Sequence, residues 1–160
     1  MTDSPKTADL VDTHDAQVKL CQLQFQLLGK RRRFHGRIAT VKCFEDNALL
    51  KQKLGEAGAG RVLVVDAGAS LRVAVAGDLI AGIAHANGWR GLVINGAIRD
   101  SVELSGLDFA VCALGRSPKK SGKKGTGEAE VPVSFGGVEF VPGHFVYADD
   151  DGVLVSATEL

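Results

Sequence analysis

The chain has 160 residues, with 19 basic and 19 acidic side chains and a formal charge of zero. The length fits one domain spanning 1–160, and the balance of charge excludes a generally basic nucleic-acid binder and an acidic disordered tail. Hydrophobics at 45% with aromatics at only 6% imply a core of Val, Leu, Ile and Ala, while 20 glycines, well above the roughly 7% of average usage, imply many turns and close backbone approaches.

Residues 7–28 hold Leu20, Leu23, Phe25, Leu27 and Leu28 in a mixed apolar stretch of unsettled period. Gly29-Lys30-Arg31-Arg32-Arg33 reads as a basic turn, a surface feature or a subunit contact. Ile38 to Cys43 alternates and is β-branched, as a strand does. Asp46-Asn47 offers a helix start, Ala48 to Leu54 the helix and Gly55 its stop. Arg61 to Asp66 is a continuous apolar run, as in a strand covered on both faces. Ala67 to Ser70 turns, and Leu71 to Ala76 reads as strand or helix. A helix then starts at Gly77-Asp78-Leu79-Ile80, with Leu79, Ile80, Ile83 and Ala84 on its apolar face and Asn87-Gly88 at its end. Gly91 to Asn95 is a second buried strand, and Gly96 to Asp100 the loop beyond it. Phe109 to Leu114 is a further strand. Residues 116–127 are basic and glycine-rich, a solvated rim or a loop over a site with Glu128 reaching it. From Val131 the pattern is strand–turn–strand: 131–135, 138–141, 145–148 and 153–156. Strands alternating with helices in 36–96 imply parallel βαβ units, so the fold class is α/β.

No apolar run approaches the roughly 18 residues of a membrane span. Met1-Thr2-Asp3-Ser4-Pro5 lacks the basic start and apolar stretch of a secretory signal. Cys21, Cys43 and Cys112 are odd in number and widely spaced, which fits a reducing cytoplasm and no disulfide framework. Cys43 and Cys112 read as buried small hydrophobes, His85 as a surface histidine and Trp89 as packing or subunit contact. His14, His35, His85 and His144 are too scattered for a histidine-built metal site.

Two segments offer chemistry. Gly77-Asp78-Leu79-Ile80 opens a helix, where unpaired N–H groups suit a carboxylate or phosphate. The plain alternative is an ordinary turn with Asp78 as an N-cap. Arg99-Asp100 follows a buried strand, at the end where α/β sheets bind ligands. A guanidinium suits the planar oxygens of a keto acid, and a carboxylate beside it suits Mg²⁺ or Mn²⁺ held largely through water. The plain alternative here is a surface Arg–Asp pair, with Asp100 capping a short helix at 101–104. Twenty residues, 79–98, separate Asp78 from Arg99-Asp100, so two consecutive βα turns would bring them to one sheet edge.

The pattern Asp78-x20-Arg99-Asp100 resembles the motif of the class II pyruvate aldolases that cleave 4-hydroxy-4-methyl-2-oxoglutarate, a family shared with the regulator of ribonuclease activity A. Thr40 to Asn47, Gly60 to Asp66, Tyr147-Ala148-Asp149 and Asp151-Gly152 resemble it too, so the likeness runs over about residues 7–158. It implies a mixed β/β/α fold of the swivelling phosphohistidine-domain kind. It also implies a homotrimer, single or stacked, with the site between subunits. A keto-acid substrate would place its carboxylate on backbone N–H groups of Gly77 to Ile80 and its oxygens on Arg99. Asp100 would anchor the divalent metal, with Asp78 orienting water or moving protons. Both retro-aldol cleavage and oxaloacetate decarboxylation pass through a pyruvate enolate, whose charge a Lewis acid and a fixed cation stabilise. Larger aldolases add an acidic residue from a C-terminal extension. Here Glu159 or the Asp149–Asp151 stretch would have to replace it. The regulator branch lacks the full three-residue set, which favours an enzyme over the alternative, an inhibitor of ribonuclease E. No segment resembles an S-adenosylmethionine site, a Walker A loop or a GxGxxG fingerprint.

Overall fold

The computed structural model describes residues 3–160. Its helices are α1 (Thr7–His14), α2 (Ala48–Leu54), α3 (Asp78–Ala86) and α4 (Ser101–Ser105). Its strands are β1 (Val18–Cys21), β2 (Gln26–Leu28), β3 (Arg33–Lys42), β4 (Val62–Asp66), β5 (Ala74–Ala76), β6 (Gly91–Ile98), β7 (Val111–Arg116), β8 (Glu128–Ala129), β9 (Val133–Phe135), β10 (Val138–Phe140), β11 (Phe145–Asp149) and β12 (Gly152–Ser156). The main sheet runs β1-β12-β11-β3-β4-β6-β7-β2, with β5 added to β6 and β8 to β3. β3, β4, β6 and β7 are parallel, while β9 and β10 form a separate hairpin.

The apolar run of β4 has the expected cause. Leu63 and Val65 pack with Leu50 and Leu54 of α2, with Ile80, Ala81 and Ala84 of α3, and with Leu104 of α4. Val62 and Val64 face the other way, onto Phe135, Val138 and Phe140 of the hairpin and Val146 and Val153 of β11 and β12. With both faces covered, no polar alternation survives. A third cluster joins Leu10 of α1 to Phe145, Tyr147 and Leu154 on the far side of β11–β12. The result is a single α/β domain of layered β/β/α form with a few short helices, as expected.

Four readings are corrected or resolved. The stretch 7–28 holds a helix and two short strands, so no single period describes it. In 71–76 only Ala74–Ala76 is strand. β6 does not stop at Asn95 but runs to Ile98, because it is paired on both edges there: Ala97 lies opposite Ala74 of β5 and Gly115 of β7. Gly96 fits within this strand because a Cβ would come 2.8 Å from that of Ala67. On α3 the buried stripe is Ile80, Ala81 and Ala84, and Leu79 is 68% exposed. Two alanines bring the helix close to the sheet, and this rotation turns Leu79 outward.

All three cysteines are free and buried, and Trp89 is buried with its indole N–H donating to the Glu56 carbonyl at 3.1 Å. Burial pushes the Cys43 and Cys112 thiols up to about 12, so both are inert hydrophobes at neutral pH. No helix among the described residues is long and apolar enough to cross a membrane.

Asp149 has a structural task. Its carboxylate accepts from the Thr7 backbone N–H (2.8 Å), the Thr7 hydroxyl (2.7 Å) and the Asp151 N–H (2.9 Å), fixing α1 to the end of β11. Asp149→Ala is expected to cost about 1–3 kcal/mol, the order for a lost charged acceptor. Hydrogen exchange should show α1 amides losing protection before those of β4 and β6.

Candidate functional site

A cleft of about 110 Å³ lies at the carboxyl ends of β5 and β6. Its lining includes Gly77, Asp78, Leu79, Ile80, Arg99 and Asp100, so every residue of the expected set meets at one place. The expected shared sheet edge is found, and its cause is the parallel pairing of β5 with β6. The Arg99 N–H donates to the Ala76 carbonyl at 3.0 Å, which ties the two exits together.

Neither plain alternative describes these side chains. Asp100 occupies the N-cap position of α4, yet its carboxylate makes no cap bond. It turns back instead, and Oδ2 accepts from the Asp78 N–H at 3.3 Å. To do so Asp100 takes the left-handed conformation, φ 59° and ψ 42°, which is costly for a residue with a Cβ. The N-cap of α3 is Gly77, not Asp78, and it too makes no side-chain cap. Arg99 and Asp100 form no ion pair; the Arg99 guanidinium is exposed and donates only a long 3.5 Å bond, to the Pro118 carbonyl.

Gly77 is required by its neighbour rather than by its own backbone. A Cβ there would lie 2.4 Å from Asp100 Oδ2 and 3.3 Å from Arg99 Cγ. The absent methyl is the space into which the Asp100 carboxylate fits. Asp78 and Asp100 also interact as like charges. The hydrogen-bonding and charge of Asp100, with some desolvation, push the Asp78 carboxyl above its ordinary range. A site that crowds two carboxylates while an arginine stands free suits a cation and an anion together. No group of three or more His, Cys, Asp or Glu side chains among the described residues is arranged to cage a metal. The carboxylates present are the Asp78–Asp100 pair, whose chemistry fits Mg²⁺ or Mn²⁺, ions that keep most of their water.

Asn47 and Lys51, which the sequence does not single out, also line the cleft, as do Lys120 and Lys123 of the basic segment expected as a rim or a loop over a site. The segment 116–127 is no loose rim. Ala74 N–H donates to the Lys119 carbonyl (2.7 Å), and Ser121 N–H to the Ala74 carbonyl (3.2 Å). Asp46, buried at 3% exposure, holds the far end: Oδ1 accepts from the Ala48 and Gly125 N–H groups and Oδ2 from that of Lys124. Burial works to raise the Asp46 carboxyl, but these three donors prevail and hold it below its usual range. Glu128 does not join the lining; it pairs with Lys42 in β8.

The other acidic candidates lie elsewhere in the chain. Asp149 stands opposite Arg33 at the start of β3, the reverse edge from Arg99 and Asp100. Glu159 lies beside β11, where the next residue's N–H, that of Leu160, donates to the Tyr147 hydroxyl at 2.8 Å. A wider recess of about 440 Å³ at that edge is lined by Lys30, Arg31, Arg32, Arg33 and Arg90. There Arg31 is paired with Asp108 and Arg32 with Asp150, while Lys30, Arg33 and Arg90 make no ion pair among the described residues.

A family model described as RraA-like, Aldolase/RraA, matches residues 7–155. The chain belongs to the RraA-like family. Among solved structures it is similar to a protein of Geobacillus kaustophilus HTA426 described as an S-adenosylmethionine:2-dimethylmenaquinone methyltransferase. That match has 47% identity over 98% of this chain and 97% of the other, with TM-score 0.96. It is also similar to the RNA-processing inhibitor RraA from Thermus thermophilis, at 44% identity over 98% and 94% of the two chains, TM-score 0.93. A third is RraAS2 of Streptomyces coelicolor, described as an unusual member of the RNase ES inhibitor RraA family. It shows 30% identity over 94% of this chain and 77% of that one, TM-score 0.73.

Asp46→Ala should free the 120–125 segment, leaving three N–H groups without their acceptor and lowering stability by about 1–3 kcal/mol. The carboxyl is held below its unfolded value, so its contribution is complete above the ordinary aspartate range and is lost as pH falls through the depressed value. Thermal melts against pH should show an acid-side decline in the natural protein that is smaller in Asp46→Asn. Faster tryptic cleavage at Lys123 and Lys124 in the alanine variant would report the loosened segment.

Proposed function

We propose that this chain is a divalent-metal-dependent aldolase that cleaves 4-hydroxy-4-methyl-2-oxoglutarate to two pyruvates and also decarboxylates oxaloacetate. One observation carries this reading. Asp100 leaves its own helix uncapped to face Asp78 across the Gly77 gap, beside an arginine with no acid partner.

The roles follow from position. The start of α3, where Gly77 supplies no capping side chain and Asp100 takes only the Asp78 N–H, offers backbone N–H groups of Leu79 and Ile80 to the substrate's C1 carboxylate. Arg99 presents its fork to the C2 keto oxygen, where negative charge develops as the C3–C4 bond breaks. Asp78, whose proton affinity is raised, takes the proton from the 4-hydroxyl or from a water beside it. Asp100, with Asp78 acting through water, would hold Mg²⁺ or Mn²⁺. When bound, such an ion supplies Lewis-acid stabilisation at the keto oxygen. The cleft's volume suits a small acid, well below the roughly 300–1,000 Å³ of pockets that enclose drug-sized ligands. A nucleoside-bearing methyl donor is a poor match for it.

Assembly as a homotrimer is part of the proposal. Leu79, Gly82, Ile83 and Ala86 form an outward, mostly apolar face of α3 that borders the cleft, which supports a second copy seated there. The identity to inhibitor proteins supports a second reading, a regulator that binds ribonuclease E.

Pyruvate release from both substrates should require Mg²⁺ or Mn²⁺, stop in EDTA and return when metal is added back. Arg99→Ala should lower kcat by about 10² to 10³, the usual loss for one oxyanion donor. Turnover that persists in EDTA, or survives Arg99→Ala, would sink this mechanism. Micromolar capture of ribonuclease E together with slowed RNA cleavage would favour the regulator instead.

A further inference from the structure

The cleft carries more positive charge than one keto acid uses. Its lining includes four cations, Lys51, Arg99, Lys120 and Lys123, against the two carboxylates Asp78 and Asp100. The keto-acid end of a substrate is met by Arg99, the start of α3 and the Asp78–Asp100 pair. Lys51, Lys120 and Lys123 then remain, and none takes part in an ion pair among the described residues.

Two of these lysines are set in place by the fold. Lys120 is bridged to Ala74, beside the exit of β5. The next turn is held twice: Gly122 N–H donates to the Glu45 carbonyl (2.9 Å), and Asn47 N–H donates to the Gly122 carbonyl (3.0 Å). The buried Asp46 carboxylate secures the following residues, 124 and 125. Arg99 touches the root of the same segment at Pro118. The lysines therefore stand along one wall of the cleft, anchored on both sides, and not on a free tail.

Building on the aldolase reading, we propose that Lys120 and Lys123 hold the distal carboxylate of a 2-keto-4-hydroxy dicarboxylate, making the site selective for aldol substrates whose second product is itself a keto acid. In that cleavage the C3–C4 bond breaks and its electron pair stays on C3, conjugated with the C2 keto group. The 4-hydroxyl proton passes to a base, C4 becomes a keto carbon, and a proton later returns to C3. The distal carboxylate passes unchanged into the second product, so the lysines bind and orient it throughout. Oxaloacetate decarboxylation differs. There the distal carboxylate is itself the leaving group and loses its charge as CO₂. An ammonium on it stabilises the ground state more than the transition state, which slows that step. One pair of lysines thus favours the aldol reaction over the decarboxylation.

The test uses binding as well as turnover. Calorimetry with Mg²⁺ present compares 2-oxoglutarate with 2-oxopentanoate, a dicarboxylate and a monocarboxylate of equal chain length. The natural protein should bind the dicarboxylate at least tenfold tighter, and Lys120→Met/Lys123→Met should lose that preference while Lys120→Arg/Lys123→Arg largely keeps it. In turnover, the Met pair should raise KM for 4-hydroxy-4-methyl-2-oxoglutarate at least tenfold. Its ratio of oxaloacetate decarboxylation to aldol cleavage should rise. An unchanged preference in an active Met variant overturns the lysine assignment alone, as does an equal loss on both probes. A natural protein that binds and turns over none of these acids overturns the aldolase reading and this one with it.

Discussion

The site depends on the two-sided pairing of β6. β4 and β7 flank its first part, and β5 and β7 flank its last residues. Eight consecutive buried residues leave that strand no freedom to drift. Its exit is therefore fixed beside the exit of β5, and the two chemically rich turns meet. A slip of one residue would exchange the two faces, placing Asn95 in the helix-side core and Ile94 against the hairpin side. That exchange is costly in a sheet packed on both faces, so the register of the core also sets the register of the cleft.

The cleft gathers several locally unfavourable features. Asp100 sits in the left-handed region, at a cost on the order of 1–2 kcal/mol for a residue with a Cβ. Its carboxylate approaches Asp78 rather than a cation. Gly77 gives up a side chain to admit it. Each feature is unfavourable in an isolated chain, and the core that surrounds them holds them together. Strain and like-charge crowding of this kind are what a ligand-binding site tolerates, and the aldolase proposal rests on finding them together.

Much of this was legible in the sequence where one physical signal dominates. β4 and β6 show as apolar runs because both faces are covered. The spacing of Asp78 from Arg99-Asp100 marks the shared edge because parallel βα units repeat their exits. What was not legible depends on distant contacts. The extension of β6 through Gly96 to Ile98 needs β5 beside it, and β5 is only three residues long. The outward turn of Leu79 follows from Ala81 and Ala84 meeting the sheet, a choice that helical period alone does not make. The ordering of 116–125 depends on Asp46, some 78 residues from Lys124 in sequence, so composition reads the segment as solvated. Asn47 and Lys51 were within reach, one turn apart on α2, but nothing local ties them to Asp100.

The family includes proteins described as inhibitors and as enzymes, and this fold accommodates both because the layers do not specify chemistry. In this chain the proposed chemistry would rest on few positions set at the carboxyl edge: a glycine without a methyl, two facing carboxylates, an arginine left free, and a lysine wall held down by one buried aspartate. The zero net charge conceals this division. Arg31 and Arg32 at the opposite edge are matched by Asp108 and Asp150, while Lys30, Arg33 and Arg90 of the same recess make no ion pair among the described residues. Pairing costs those two arginines their availability. At the cleft the lysines are held by their backbone, which leaves their ammonium groups unpaired. What sets the cleft apart is thus not unpaired cations alone, which both edges have, but unpaired cations beside two carboxylates that approach one another.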